Sequence, residues 1–239
     1  MTIHPRLILI YLLTSVLCLT FLLLDFEFGF FITKPLILPV LLFFLIIKFK
    51  LTKHQLIPPL MVATFFSFLG DVFLMIKVEE SLFKLLGICT FIVAQTAYAM
   101  LYYYSTDGFK KRKINIFKRW PEILTIIITM TTLAFVFPTL GVFAVPAVIY
   151  TVIGSVAFVF ALNRRFYVSR KSFTITIIGV FFFYLGDALM GHDLFLSSKH
   201  IHVIVLLFYI LAHFLIVNGI MIQIDKEIKK APSKDAYIF

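Results

Sequence analysis

Charged residues are scarce in this chain of 239 residues: they make up 14% of it, against about 25% in ordinary soluble domains. Hydrophobic residues make up 62%, which is more than a soluble fold can bury, so the composition predicts a protein that lies in lipid. Cysteine is rare as well. Cys18 and Cys89 both fall inside apolar stretches, where their simplest role is packing. They therefore give no information about the redox state of the compartment.

The first apolar stretch lacks a small-x-small cleavage site, which predicts a retained helix and not a signal peptide.

Eight apolar stretches follow one another, and most approach the ~20 residues that a membrane-spanning helix needs. They are Leu7–Leu24, Leu36–Ile47, Leu56–Ile76, Leu82–Tyr103, Pro121–Phe137, Val142–Leu162, Phe173–Met190 and Val203–Ile224. The second is short, and we expect its helix to begin just before Lys34-Pro35, because proline is tolerated in the first turn. The sequence therefore predicts an all-α polytopic membrane protein, with eight transmembrane helices in one domain over 1–225 and a short charged cytoplasmic tail over 226–239.

The net charge of +10 does not indicate a nucleic-acid partner, because the Lys and Arg residues lie in short loops between the apolar stretches. With the N-terminus in the cytoplasm, eighteen cations fall on inside segments and four on outside segments, the four being Lys34, Lys77, Lys84 and Lys199. This asymmetry predicts an N-in, C-in topology. The chain is expected to be an integral, multi-pass protein surrounded by membrane lipids, in the inner membrane if the cell is bacterial.

Two stretches carry a related motif that contains an acid. Leu69–Met75 reads Leu-Gly-Asp-Val-Phe-Leu-Met, and Leu185–Met190 reads Leu-Gly-Asp-Ala-Leu-Met, which predicts a 4+4 parallel internal repeat of the kind seen in some transporters. Apart from Glu122, the second residue of its stretch, Asp71 and Asp187 are the only acids that the prediction places inside spans. A carboxyl group in hydrocarbon is costly, so the pair is a functional-site hypothesis. The glycine before each acid is expected to let a neighbouring helix approach closely.

Further polar side chains recur at helical spacing near the two acids. They are Thr64 and Ser67 upstream of Asp71, Tyr184 one turn before Asp187, and two same-helix pairs, Gln95 with Tyr98 and Tyr209 with His213. We expect them to line one polar pocket that opens outward, with His213 either donating into the pocket or bonding another helix. Two carboxyl groups in such a pocket cannot both ionise cheaply, which suits general acid–base hydrolysis. The alternative is that each Asp only holds helices together.

A second polar cluster is predicted on the outside of the membrane. It comprises His192, Asp193, His200 and His202. The spacing of these residues matches no specific metal signature, so we predict neither a metal site nor any other cofactor.

At this point the pattern resembles the YhhN-like lysoplasmalogenase family of eight-span membrane proteins. The matching residues are Lys34-Pro35-Leu36, Ser67 to Asp71, Gln95 with Tyr98, Pro146 and Tyr150, Gly186-Asp187 with Leu189, and Tyr209 with His213. The order of these residues over nearly the whole chain carries the resemblance. The family pattern has His at the position of Gln95 and Gln at the position of His213, so the two polar side chains look exchanged. It also has Ser-Asp where this chain has Gly186-Asp187.

The resemblance implies a membrane hydrolase that cleaves the vinyl ether bond of a lysoplasmalogen, releasing a fatty aldehyde and a glycerophospho-headgroup. Asp71 and Asp187 would be the catalytic acid–base pair, as the two carboxylates of glycosidases are. The lysophospholipid would be bound by Lys34, Ser67, Gln95, Tyr98, Tyr150, Tyr184, Tyr209 and His213. Lys34, expected at a helix start, would meet the phosphate, with snorkelling to the interface as the alternative.

Two other functions are compatible with the same residues. A proton-coupled transporter or lipid-binding protein would use the Asp pair as a proton relay. A metal-dependent hydrolase of lipid amides or esters would need zinc near His213 or near the pair His200 and His202. The latter is disfavoured because these His residues lie at other depths than the acids.

Overall fold

The computed structural model describes residues 5–107, 115–139, 141–196 and 199–230, and this part of the chain is helical without strands. Its α-helices are α1 (Pro5–Leu23), α2 (Glu27–Phe49), α3 (Ile57–Met75), α4 (Glu80–Tyr104), α5 (Trp120–Val136), α6 (Ala144–Asn163), α7 (Arg170–Leu196) and α8 (Lys199–Lys230). Each overlaps one of the predicted apolar stretches, so the prediction of an all-α chain is confirmed. Pro58 and Pro121 lie at the starts of α3 and α5, where a missing backbone N–H costs nothing.

Six segments of the described chain are long and apolar enough to cross a membrane. They are Glu27–Phe49, Ile57–Met75, Glu80–Tyr104, Gly141–Phe166, Arg170–Met190 and Lys199–Lys230. The apolar part of α1, Leu7–Leu23, is shorter, and α5 has 17 residues. The chain is thus a multi-pass membrane protein, with six spans supported by length and composition.

The start of α2 was predicted wrongly. The helix begins at Glu27, after a tight turn in which Asp25 has a φ of 54°, so Lys34-Pro35 lies two turns inside it. The apolar run Phe28–Ile32 extends the helix upstream. Pro35 is accommodated within α2 because, in a membrane helix, side chains and neighbouring helices can satisfy the carbonyl that proline leaves without its hydrogen bond. Lys34 is therefore not at a helix start, and its Nζ lies 5.7 Å from the centre of the Phe30 ring.

Each of the two helices that carry the acids packs along a neighbour. α3 packs along α4, and α7 packs along α8, while α4 also contacts α6 and α6 contacts α7. The closest approach of α7 to α8 is at Gly179 and Gly219, where an added Cβ would lie within 2.9 Å of backbone atoms of the facing helix. At Gly186 a Cβ would meet its nearest atom at 3.7 Å, so the expectation of a close approach there is wrong.

Ion pairs lie at both ends of the bundle, and all of those among the described residues except Lys84–Glu80, which lies within α4, join separate segments of the chain. They are Lys48–Asp225, His54–Glu227 and Arg165–Glu122 at one end, and Lys77–Glu27, Lys84–Glu80 and Lys199–Asp25 at the other. Each pair joins residues that the alternating helix directions place on the same side. We refer to the end that carries Lys48, Arg165 and the last turns of α8 as the basic end.

Two features of the basic end differ from the sequence interpretation. The predicted tail was to begin at Lys226, but α8 continues through Lys230. Arg164, interpreted as a loop charge that sets orientation, is fully buried. Its Nη2 donates to Ser172 Oγ at 3.0 Å and to Gln223 Oε1 at 2.9 Å. The guanidinium therefore joins the end of α6 to both α7 and α8.

Candidate active site

Asp71 lies on the buried face of α3, and its side chain is only 4% exposed. Thr64 and Ser67 lie on the same face and are also buried, so the predicted polar stripe is confirmed as an interior face of α3. Gly70 leaves the space that the ring of Phe91 on α4 occupies, since an added Cβ would lie 2.6 Å from that ring. Close packing of α3 on α4 thus shields the acid.

The carboxylate of Asp71 accepts a hydrogen bond from the hydroxyl of Tyr209 on α8. Lys34 is the cation whose charge acts on Asp71, and the Cys18 thiol of α1 lies within electrostatic range of both. Four helices therefore converge on this acid: α1, α2, α3 and α8. An interior carboxyl group requires such partners, because an unpaired one is costly in an apolar setting.

Asp187 lies on α7 and has a separate hydroxyl partner. The hydroxyl of Tyr150 on α6 donates to Asp187 Oδ2 at 2.6 Å. The same Tyr150 oxygen accepts a hydrogen bond from Gln95 Nε2 on α4 at 3.2 Å. A second carboxyl group is thus held in place from two further helices, through one tyrosine and one amide.

Tyr98 lies within electrostatic range of both Tyr150 and Tyr209, the tyrosine partners of the two acids. The Tyr98 hydroxyl and His213 Nδ1 share a hydrogen bond of 3.1 Å between α4 and α8, and the rings of His213 and Tyr209 meet edge to face with centroids 4.5 Å apart. His213 is fully buried, and its Nε2 has no hydrogen-bond partner among the described residues. A buried polar atom without a partner is uncommon, and this one can meet a polar group of a ligand.

The predicted site residues form separate hydrogen-bonded groups, Tyr209 with Asp71, Tyr98 with His213, and Gln95 and Tyr150 with Asp187. The same-helix pairs Gln95 with Tyr98 and Tyr209 with His213 do not hydrogen-bond internally. Instead each side chain bonds across helices, as Gln95 does with Tyr150. Helical spacing identifies residues that share a face, whereas only packing decides what that face meets.

Tyr184 lies next to Asp187 but bonds elsewhere. Its hydroxyl shares a hydrogen bond with Thr129 of α5, and Thr129 Oγ1 also lies within hydrogen-bond distance, 3.2 Å, of Ser155 Oγ on α6. Thr129 and Ser155 are buried and were not predicted as site residues. The spacing of Glu122, Thr125 and Thr129 along α5 could have identified this polar face from the sequence.

The outside histidines give no metal centre in the part of the chain that the structure describes. His200 and His202 are exposed at the start of α8, and the side chains of His192 and Asp193 lie outside the described part. Among the described residues, no three His, Cys, Asp or Glu side chains are placed to hold one ion.

The comparison with family models matches residues 29–220 to the model described as the YhhN family. The chain belongs to the YhhN family. Neither the curated proteins nor the solved structures contain a match to it. The resemblance on which the sequence interpretation relied is thereby confirmed at the level of the family.

The match to the YhhN family begins in the first turn of α2 and ends within α8. It includes both acids and every residue that bonds to them, Tyr209 and Tyr150 among these. It leaves out α1. Cys18 of this helix lies near Asp71, and the hydroxyl of Tyr11 donates to the Ile210 carbonyl of α8 at 2.8 Å.

Proposed function

We propose that this member of the YhhN family is a membrane hydrolase that cleaves the vinyl ether bond of lysoplasmalogens. The observation that carries the proposal is the arrangement of Asp71 and Asp187. Each is an interior carboxyl group held by a tyrosine from another helix. Two positioned carboxyl groups supply the acid and the base that ether cleavage through an oxocarbenium-like ion requires.

The proposed architecture has eight spans, of which α1 and α5 are the short ones, in an N-in, C-in topology with the basic end in the cytoplasm. The charge asymmetry of the loops supports this orientation. The ion pairs, each of which joins residues of one end, support the alternation of helix directions. The four-helix repeat remains a prediction based on the related motifs around Asp71 and Asp187.

The surroundings of the two acids differ, and this difference assigns their roles in the proposal. Lys34 acts on Asp71, and a nearby ammonium group balances the charge of a carboxylate. Asp187 has the neutral Tyr150 hydroxyl as its hydrogen-bond partner. We therefore assign Asp187 as the protonated acid and Asp71 as the ionised base.

The reaction then balances with one water molecule. Asp187 gives its proton to the vinyl carbon that is remote from the ether oxygen, and the π electrons form the new C–H bond. This leaves an oxocarbenium-like ion, whose charge Asp71 stabilises. Water adds to the cationic carbon and gives a proton to Asp71. The hemiacetal gives its hydroxyl proton to the glycerol oxygen as the bond between the carbon and that oxygen breaks, which yields the aldehyde and the glycerophospho-alcohol. The proton that Asp71 took from water then returns to Asp187, so each cycle consumes one water molecule and no net proton.

The substrate would lie with its phosphate near Lys34 and its vinyl ether between the two acids. The ammonium group of Lys34 suits a phosphate oxygen. Because Lys34 also interacts with Asp71, phosphate binding and the acid–base chemistry would take place close together. His213 Nε2, which has no partner among the described residues, can bond the glycerol hydroxyl or the water.

The test is aldehyde release from lysoplasmenylethanolamine by the purified full-length protein in detergent. Asp71→Asn and Asp187→Asn should each lower release by at least about a hundredfold, the lower end of what a general acid or base contributes. Asp25→Asn is the matched control, because Asp25 is exposed and pairs with Lys199 away from the site. Well-folded wild-type protein that released no aldehyde would overturn the vinyl ether assignment.

A proton-coupled transporter or lipid-binding protein is the second candidate. The observation that favours it is the row of polar groups Asp71, Tyr209, His213 and Tyr98. Tyr209 and His213 meet only through their rings, so a proton relay would need a water molecule between them. In proteoliposomes, proton flux that depends on Asp71 and Asp187, with every lipid recovered unchanged, would favour this function over hydrolysis.

A further inference from the structure

The buried face of α5 is polar, which is the reverse of an ordinary amphipathic helix. Its buried side chains, among those described, are Glu122, Thr125 and Thr129, with exposures of 6%, 7% and 1%. Apolar neighbours such as Ile127 and Met130 are 56% and 57% exposed. The polar positions recur at intervals of three and four residues, so they share one face of the helix. α5 thus presents apolar side chains outward and polar ones to the bundle.

This polar face leads to the neighbourhood of Asp187. Thr129 shares hydrogen bonds with Ser155 of α6 and with Tyr184 of α7. Tyr184 lies one turn before Asp187 on the same helix and interacts with it electrostatically. Three hydroxyl groups from three helices therefore meet beside the acid. A hydroxyl group both donates and accepts, so a connected set of them can pass a proton or hold a water molecule.

The other end of the face is anchored at the basic end of the bundle. The carboxylate of Glu122 accepts two hydrogen bonds from the Arg165 guanidinium, both of 2.9 Å. Thr129 lies seven residues further along α5, or about 10 Å at the helical rise. The line from Glu122 through Thr125 and Thr129 to Tyr184 thus runs from a charged surface into the interior.

Hydroxyl groups of this kind also bond within their own helix, as Thr125 does to the Pro121 carbonyl and Thr129 to the Thr125 carbonyl. Those bonds satisfy the hydroxyl protons but do not explain why the buried side chains of the face are all polar. Threonine is common where membrane helices pack, because it is small and can bond a facing helix. This face differs from such a contact because it leads from the Arg165–Glu122 ion pair to three hydroxyl groups beside Asp187.

We propose that the polar face of α5 is the route by which water passes between the basic end and Asp187. The proposal rests on the proposed function, in which each hydrolytic cycle consumes one water molecule. Thr129, Ser155 and Tyr184 act as positioning residues at the inner end of this route.

The direct test measures whether the face is wet, and it does not depend on activity. Cysteine is placed at Thr125, Thr129 or Thr131 in the full-length protein with Cys18 and Cys89 replaced by alanine. Labelling by a small cationic methanethiosulfonate is then followed by mass. Thr131 is the matched control, because its hydroxyl also bonds four residues back, to the Ile127 carbonyl, but its side chain is exposed on the outer face.

Thr125→Cys and Thr129→Cys should label at least about tenfold faster than Thr131→Cys, because a thiol in an apolar setting seldom ionises and the thiolate is the reacting form. Equal rates, or faster labelling at Thr131→Cys, would overturn the route. Should Thr129→Cys fail to fold, Ser155→Cys probes the same point from α6.

The second test is kinetic and compares Thr129→Val with Thr131→Val in aldehyde release. Thr129→Val should lower kcat about tenfold with KM unchanged, because it removes a hydrogen-bonded hydroxyl from the proposed route. Thr131→Val should match the wild type. A rise in KM at unchanged kcat would indicate a packing effect and contradict the proposal. Absence of aldehyde release from the wild type would reject the proposed function, while the labelling rates would still decide on the route.

Discussion

At the scale of single residues, the site is defined by how two interior carboxyl groups are satisfied. Asp71 is bonded by Tyr209, and Asp187 is bonded by Tyr150. A tyrosine hydroxyl donates one hydrogen bond and carries no charge, so it stabilises a carboxyl group without neutralising it. The acids can therefore exchange protons while they stay in place.

This arrangement predicts that Tyr209→Phe and Tyr150→Phe each lower aldehyde release. The loss should be about tenfold to a hundredfold, because a buried acceptor that loses its donor costs ~1–3 kcal/mol. Tyr103→Phe is the control, since Tyr103 is a lipid-facing tyrosine of α4 and is exposed.

The measurement is the initial rate of aldehyde release at matched protein concentration, together with the unfolding temperature of each variant. Rates for Tyr209→Phe and Tyr150→Phe that equal the rate for Tyr103→Phe would show that the hydroxyl groups do not contribute to the reaction.

At the scale of helices, glycine decides where two of them touch. Gly179 of α7 faces the Ala212 carbonyl and the Ile216 amide of α8, and an added Cβ would lie 2.9 Å from each. Backbone atoms cannot move aside as the end of a flexible side chain can. The contact between α7 and α8 therefore depends on glycine at this position. Because Asp187 lies on α7 and Tyr209 on α8, their relative placement depends on it as well.

We expect Gly179→Ala to lower the unfolding temperature in detergent, because overpacking costs ~1–3 kcal/mol. Gly186→Ala is the matched control on the same helix, since its Cβ would meet Phe208 at an ordinary 3.7 Å. It should leave stability unchanged or raise it, because alanine favours a helix over glycine by up to about 1 kcal/mol. A larger loss for Gly186→Ala than for Gly179→Ala would contradict this account of the interface.

At the scale of the whole molecule, charge organises the two ends of the bundle. The ion pairs of the described residues stay within one end each, and the buried Arg164 joins three helices at the basic end. The loop between α2 and α3 and the loop between α3 and α4 therefore belong to opposite faces.

This orientation predicts opposite labelling of two single cysteines in intact cells expressing the protein without Cys18 and Cys89. Val78→Cys, between α3 and α4, should react with a membrane-impermeant maleimide. Lys53→Cys, between α2 and α3, should react only after the membrane is permeabilised. The reverse pattern would invert the topology, and reaction of both in intact cells would contradict a span at α3.

The amino-acid sequence by itself determined the helical class, the family, and the identity of the two acids. These depend on local properties, namely apolar runs, loop charges and the rarity of an acid in such a run. Most of the helix bounds follow from the same runs. The start of α2 was not predicted correctly. Lys34-Pro35 looks like a helix boundary when the apolar run Phe28–Ile32 before it is not counted as part of the span.

Tertiary structure decided which residues meet. Helical spacing groups Gln95 with Tyr98 and Tyr209 with His213, but it contains no information about the opposite helix. Because of the way the helices pack, Tyr209 bonds Asp71 and Tyr98 bonds His213. Gln95 bonds Tyr150, which in turn bonds Asp187. Hydrogen bonds form across the interior because, in lipid, a polar side chain has only other helices from which to find a partner.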